Sequence, residues 1–191
     1  MPPKRKYDRK LIINTALDIV QKEGIESINA RRLAKELNSS VQPIFSIFNS
    51  MSELKDELYN RMIEKFTEYM NSSFGKEKEY RQTGLSYIKF ANDYKEYFKA
   101  LMMQKTDFNI EEFINSNEFA DDIIKAGQKL TNFSYEEQKK FHTKVFILTH
   151  GIATLVATNT VKFSDDEIES LLGETVNEML NGYKRREKWK I

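Results

Sequence analysis

The chain has 191 residues, 40% of them hydrophobic and 31% charged, the balance of a globular protein rather than a disordered or membrane-spanning one. It carries no cysteine, which removes disulfide frameworks, thiolate zinc sites and cysteine nucleophiles; only three Pro and seven Gly leave room for long helices. The net charge of +1 hides an asymmetry: residues 1–50 hold nine Lys/Arg against five Asp/Glu, and the remaining 141 hold 21 against 24, the pattern of a basic amino-terminal module on a neutral-to-acidic body.

Ile12, Ala16, Ile19 and Val20 recur at helical spacing and predict a first helix from about Asp8 to Glu23. Gly24 stops it, because glycine takes backbone conformations that cost other residues energy. Asn29 suits the N-cap of a short second helix over residues 30–37, with Leu33, Ala34 and Leu37 inward. The smallness of Ala34 lets a following helix cross close to it. Asn38 and Ser39 form the turn, and Ser40 is expected to cap a third helix from Val41 to about Phe48. Pro43 falls in its first turn, where a missing N–H is harmless. Ile44, Ile47 and Phe48 face inward, while Gln42, Phe45 and Ser46 share the opposite face. Gln42, a long amide near the start of a short outward-facing helix, stands where a recognition helix reaches base edges.

Ser50 to Glu53 reads as a capping box opening a long helix, with Leu54, Leu58, Met62, Phe66 and Met70 four residues apart, ending near Gly75. After the polar stretch 76–83, one helix over 84–104 is rich in aromatics: Tyr87, Phe90, Tyr94, Tyr97 and Phe98. Short helices are expected over 110–115 and 118–130. Capping boxes at Ser134 to Glu137 and Ser164 to Glu167 precede helices over about 135–161 and 165–186, a closing hairpin. The stretch Val145 to Val161 is almost uncharged and is expected to be buried on most sides, as in a dimeric four-helix bundle. The fold class is all-α.

Residues 12–58 resemble the amino-terminal pattern of the TetR family of helix-turn-helix regulators, through Ile12, Ala16, Leu17, Gly24, Arg31, Leu33-Ala34, Ser40, Ile44-Phe45, Phe48 and Leu54. His150-Gly151 also resembles a His-Gly segment in the penultimate helix of many members. The resemblance implies a helix-turn-helix DNA-binding domain over 1–50 and a larger helical effector-binding and dimerisation domain over 51–191. It implies a homodimeric repressor, paired through the last two helices, on a pseudo-palindromic double-stranded operator. Ser40 resembles the family's recognition-helix cap. Phe45 falls where most members have a phosphate-contacting Tyr, so this chain keeps the ring and lacks the hydroxyl. Asn38-Ser39 replaces the usual Gly-Val turn, and Met51 replaces a frequent basic residue.

The DNA-binding set expected on this basis is Lys4, Arg5 and Lys6 in a basic arm, Arg31 on the second helix, and Ser40, Val41, Gln42, Pro43, Phe45 and Ser46 around the third. Phe90, Tyr94, Phe98, Phe146 and His150 are the candidates for lining a site for a small apolar or aromatic effector, against the alternative that these rings are ordinary core. His142 and His150 lie eight residues apart without carboxylates at ligand spacing, so neither metal nor cofactor is expected. No phosphate loop, nucleophile elbow or paired catalytic carboxylate is found, which argues against an enzyme. The charged amino terminus has no secretory stretch, and no window approaches about 18 uncharged apolar residues, so a cytoplasmic location without membrane partners is expected. The alternative is a helical interaction module in which the short helices serve only packing.

Overall fold

The computed structural model describes residues 7–73, 80–115 and 119–187. They form α1 (Arg9–Glu23), a 3-10 turn (Ile25–Ser27), α2 (Ala30–Glu36), α3 (Gln42–Phe45), α4 (Met51–Ser73), α5 (Tyr80–Asp93), α6 (Lys95–Met102), α7 (Ile110–Asn115), α8 (Ala120–Thr131), α9 (Tyr135–Ala157) and α10 (Asp165–Glu187), with no strand among the described residues. None of these helices is long and apolar enough to cross a membrane. Two compact units result: residues 1–68 with 94–104, and residues 69–93 with 105–191. The whole of α6 and the α4 stripe from Leu54 to Phe66 fall in the first unit, and Met70 falls in the second.

In the first unit Ile12, Ala16, Ile19 and Val20 of α1 are buried with Leu33 of α2, Ile44 and Phe48 around α3, and Leu54, Leu58 and Met62 of α4. Each is an inward position of its own helix, so the amphipathic pattern alone selects the core. The α1 N-cap is Asp8, whose carboxylate accepts from Leu11 N at 2.7 Å. At the other end Gly24 has φ +83° and ψ 163°, a region open essentially to glycine, and a Cβ there would meet Glu96 Oε2 of α6 at 3.0 Å. Elsewhere asparagine does this work: Asn38, Asn132 and Asn159 all have positive φ. Asn159 ends α9 at Ala157, short of residue 161, with Thr160 N donating to Leu155 O at 3.0 Å and Asn159 N to Val156 O at 3.1 Å.

The long helix expected over 84–104 is two helices. Tyr94 breaks it with φ −130° and ψ 54°, and the first part begins earlier, at Tyr80. Short polar side chains compete with the helix ladder at the break, where Asn92 donates to Asp93, and Asp93 also accepts from Tyr69 O–H at 2.7 Å. Beyond it Tyr97 stacks on Tyr94 at 5.8 Å and donates its hydroxyl to Leu17 O at 3.3 Å, fastening α6 to α1.

The second unit packs α5 on α9, with α8 against both and α10 along α9. The expected capping boxes are present: Ser134 Oγ accepts from Glu137 N while Glu137 accepts from Ser134 N at 3.0 Å, and Ser164 and Glu167 do likewise. The α9 segment is buried on one side only. Val145, Thr149, Ile152, Ala153 and Val156 are inside, whereas Ile147 is 56% exposed and Gly151 has open space where a side chain would project.

Candidate nucleic-acid interface

The helix-turn-helix is built from α2, a five-residue turn and α3. Asn29 accepts from Arg32 N at 2.9 Å to start α2. The end of α2 is closed by two backbone bonds, Ser39 N to Ala34 O at 2.9 Å and Asn38 N to Lys35 O at 3.1 Å, with Asn38 at φ 49°. This is the Schellman arrangement with asparagine in the position usually held by glycine, so the turn survives the loss of glycine.

The third helix is shorter than predicted and is not capped by Ser40. Val41 occupies the N-cap position with helical dihedrals and no side-chain cap bond, and the helix runs only from Gln42 to Phe45. The first helical bonds are accepted by Val41 O, from Ile44 N at 3.2 Å and Phe45 N at 3.3 Å, so the helix starts one residue later than a Ser40 cap requires. Single turns then carry the chain on, with Ile47 N to Ile44 O at 3.1 Å and Phe48 N to Ile44 O at 2.9 Å.

Ile44 and Phe48 are fully buried and Ile47 is half-buried, which holds this short helix to the core. Gln42, Phe45 and Ser46 are exposed as predicted, together with Ser40 and Val41, while Pro43 is half-buried. The Ser46 hydroxyl donates to Pro43 O at 2.8 Å, so its one hydrogen is already used within the turn. Arg31 is exposed on α2, and its neighbour Arg32 is committed to Glu23 at 2.6 Å and Glu36 at 2.7 Å. Lys4, Arg5 and Lys6 lie outside the described residues.

One basic residue missed in the sequence ties the module together. Arg9 of α1 lies 4.4 Å over the Phe48 ring and donates to Glu57 at 2.6 Å and Glu53 at 3.2 Å. Glu53 accepts in turn from the backbone and side-chain nitrogens of Asn49, both at 2.8 Å, which keeps its carboxyl below the usual range. Ser50 still accepts from Glu53 N at 3.1 Å, so the predicted capping box is closed one residue early, on Asn49. No local periodicity signals a pairing between residues 9 and 57.

The expected effector residues divide between the units. Tyr94 and Phe98 belong to the first, with Phe98 fully buried; Phe90, Phe146 and His150 belong to the second. Phe146 stacks on His150 at 5.6 Å and meets Tyr87 and Phe113 at 6.0 Å each, whereas Phe90 packs edge-on against Tyr69 at 5.4 Å. Two tyrosine–histidine pairs cross from α5 to α9: Tyr80 O–H to His142 Nδ1 at 3.0 Å and Tyr87 O–H to His150 Nδ1 at 2.9 Å. Burial pushes both histidines down, His142 to about 4, and both phenols up, so each pair is a neutral phenol hydrogen-bonded to a neutral ring. Tyr80 lay in a stretch read as polar connector; its pairing with residue 142 has no local signal. Among the described residues no three His, Asp or Glu side chains converge as a metal site.

No family model matches the chain. It is 24% identical over 178 residues to the uncharacterized HTH-type transcriptional regulator YobS of Bacillus subtilis (strain 168), covering 90% of each chain. A TetR-like transcriptional regulator from Rhodococcus sp. RHA1 superposes with a TM-score of 0.64 at 15% identity, covering 90% of this chain and 94% of that one. A TetR variant from Acinetobacter baumannii AYE in complex with minocycline superposes at 0.53 and 15% identity, over 94% and 97%. The fold of this chain is that of the TetR-like transcriptional regulators, with the helix-turn-helix in α2 and α3.

Proposed function

We propose that this chain is a DNA-binding transcriptional regulator that inserts α3 into the major groove and represses from a pseudo-palindromic operator as a homodimer. The observation that carries the reading is the division of α3 and the turn that follows it: Ile44 and Phe48 are locked in the core while Gln42, Phe45 and Ser46 are turned outward. Gln42 reads a base, adenine being its best bidentate partner. Arg31, and Lys4, Arg5 and Lys6 of the amino-terminal arm, fix the register on phosphates. Ser46 contributes through its acceptor lone pairs.

Dimerisation through α9 and α10 is supported by apolar exposure in the single chain: Ile147 at 56%, and Val161 and Leu171 at 40% each. Gly151 adds a place where a second backbone can approach closely. A small apolar or aromatic effector is supported by the ring cluster of Phe146, His150, Tyr87 and Phe113. The Acinetobacter neighbour holds minocycline. The lever is α4, whose residues divide between the two units. A cytoplasmic site of action follows from this reading.

The test is selection of the purified full chain against random duplex DNA at two salt concentrations. An enriched inverted repeat whose binding weakens with salt is the expected result. Arg31→Ala should then weaken all sequences alike and reduce the salt slope by about one. Absence of any enriched sequence would overturn the proposal and leave a helical interaction module in its place.

A further inference from the structure

We infer that Val41 and Phe45 read thymine methyl groups, so that the bases beneath α3 in each half-site are A·T pairs. The inference rests on the DNA-binding reading above and specifies its target. Val41 is 38% exposed and Phe45 46%, and they stand one turn apart, Phe45 N donating to Val41 O at 3.3 Å. Gln42 is exposed beside them. The outward face of this helix therefore offers two apolar side chains, one amide and the Ser46 hydroxyl, whose hydrogen is committed to Pro43 O.

In the major groove the chemistry of that set is restrictive. Guanine is read chiefly by Arg or Lys through its O6 and N7, and α3 with its flanking residues 39–48 contains neither. An amide pairs with N6 and N7 of adenine, and an apolar group gains most beside the thymine C5-methyl, the one apolar projection on the groove floor. Phe45 offers no hydroxyl to a phosphate, so the half-exposed ring is suited to apolar contact alone. The surroundings favour a polyanion over an apolar protein partner. Arg31 and Lys35 are exposed on the preceding helix, and the first fifty residues carry a net positive charge. Anchoring is left to these cations, and base choice to residues 41, 42 and 45.

The experiment uses the full chain and the operator recovered by selection. Each thymine in one half-site is replaced singly by deoxyuridine, which removes only the methyl, and affinity is read by fluorescence anisotropy. Loss of about threefold to tenfold at one or two positions is expected, the scale of one desolvated methyl group. The same replacements should be without effect on Val41→Ala or Phe45→Ala at the matching position, which ties each methyl to its side chain. Sequence-specific binding with every deoxyuridine silent, or a half-site whose α3 contacts are G·C pairs, overturns this inference and leaves the regulator reading intact. Failure to bind any sequence specifically removes both.

Discussion

The two compact units differ in what they bury. The fully covered positions of the first unit are apolar, from Ile12 to Phe98, whereas all five buried polar side chains among the described residues, Thr83, Ser86, Gln138, His142 and Thr149, lie in the second. An apolar core of interlocking shapes specifies one arrangement and holds α3 rigidly. Buried polar groups stabilise far less, and each must find a partner or pay for its desolvation. Gln138 illustrates this: its Oε1 accepts from Thr131 at 2.7 Å, but its Nε2 has no hydrogen-bond partner among the described residues and packs against Gly127, where a Cβ would lie 2.1 Å away.

The comparison is broken most directly by Phe48→Ala. Removing a ring that is 1% exposed should cost about 3–5 kcal/mol and with it the DNA affinity, read as a fall in Tm and in operator binding. A loss under about 1 kcal/mol would show that the first unit is not close-packed.

Next in size is a pH effect confined to the second unit. His142 is held near 4 in the fold against about 6.5 when unfolded, so the unfolded chain binds the extra proton between those values. Stability should therefore be fully present above about pH 6.5 and decline by about 3 kcal/mol as pH falls toward 4. His142→Gln, which keeps an acceptor near Tyr80, should reduce the change of denaturant midpoint across that range, leaving the part that His150 contributes. An unchanged profile in the variant would assign the acid sensitivity elsewhere.

Gly24→Ala tests the first unit at its one glycine-only dihedral. The strained φ and the approach of Glu96 should together cost about 1–3 kcal/mol, seen as a lower denaturation midpoint. A neutral result would mean the turn can adopt another path. The smallest effect is expected at Gln138→Met, which exchanges an orphaned amide for a soft apolar chain of similar volume. Stability should stay within about 1 kcal/mol of the natural chain or rise. A drop of about 2 kcal/mol would show that the Thr131 bond outweighs the orphaned nitrogen.

Most of the architecture was legible because it is written in local periodicity. The stripe from Leu54 to Met70, the Asn29 cap, the left-handed Asn38 and the boxes at Ser134 and Ser164 each depend on residues within one or two turns of each other. The outward placement of Gln42, Phe45 and Ser46 follows from the same rule, since burying Ile44 and Phe48 leaves them no other side. Other features were decided by partners remote in the chain. Arg9 finds Glu57 across 48 residues, and Tyr80 finds His142 across 62. The α5–α6 break at Tyr94 sends Phe98 into one unit and leaves Phe90 in the other. Helix spacing determines which face of a segment is apolar. Which apolar face meets which, and which polar groups are buried in the meeting, is a free-energy minimum of the whole packed chain, and only the tertiary structure contains it.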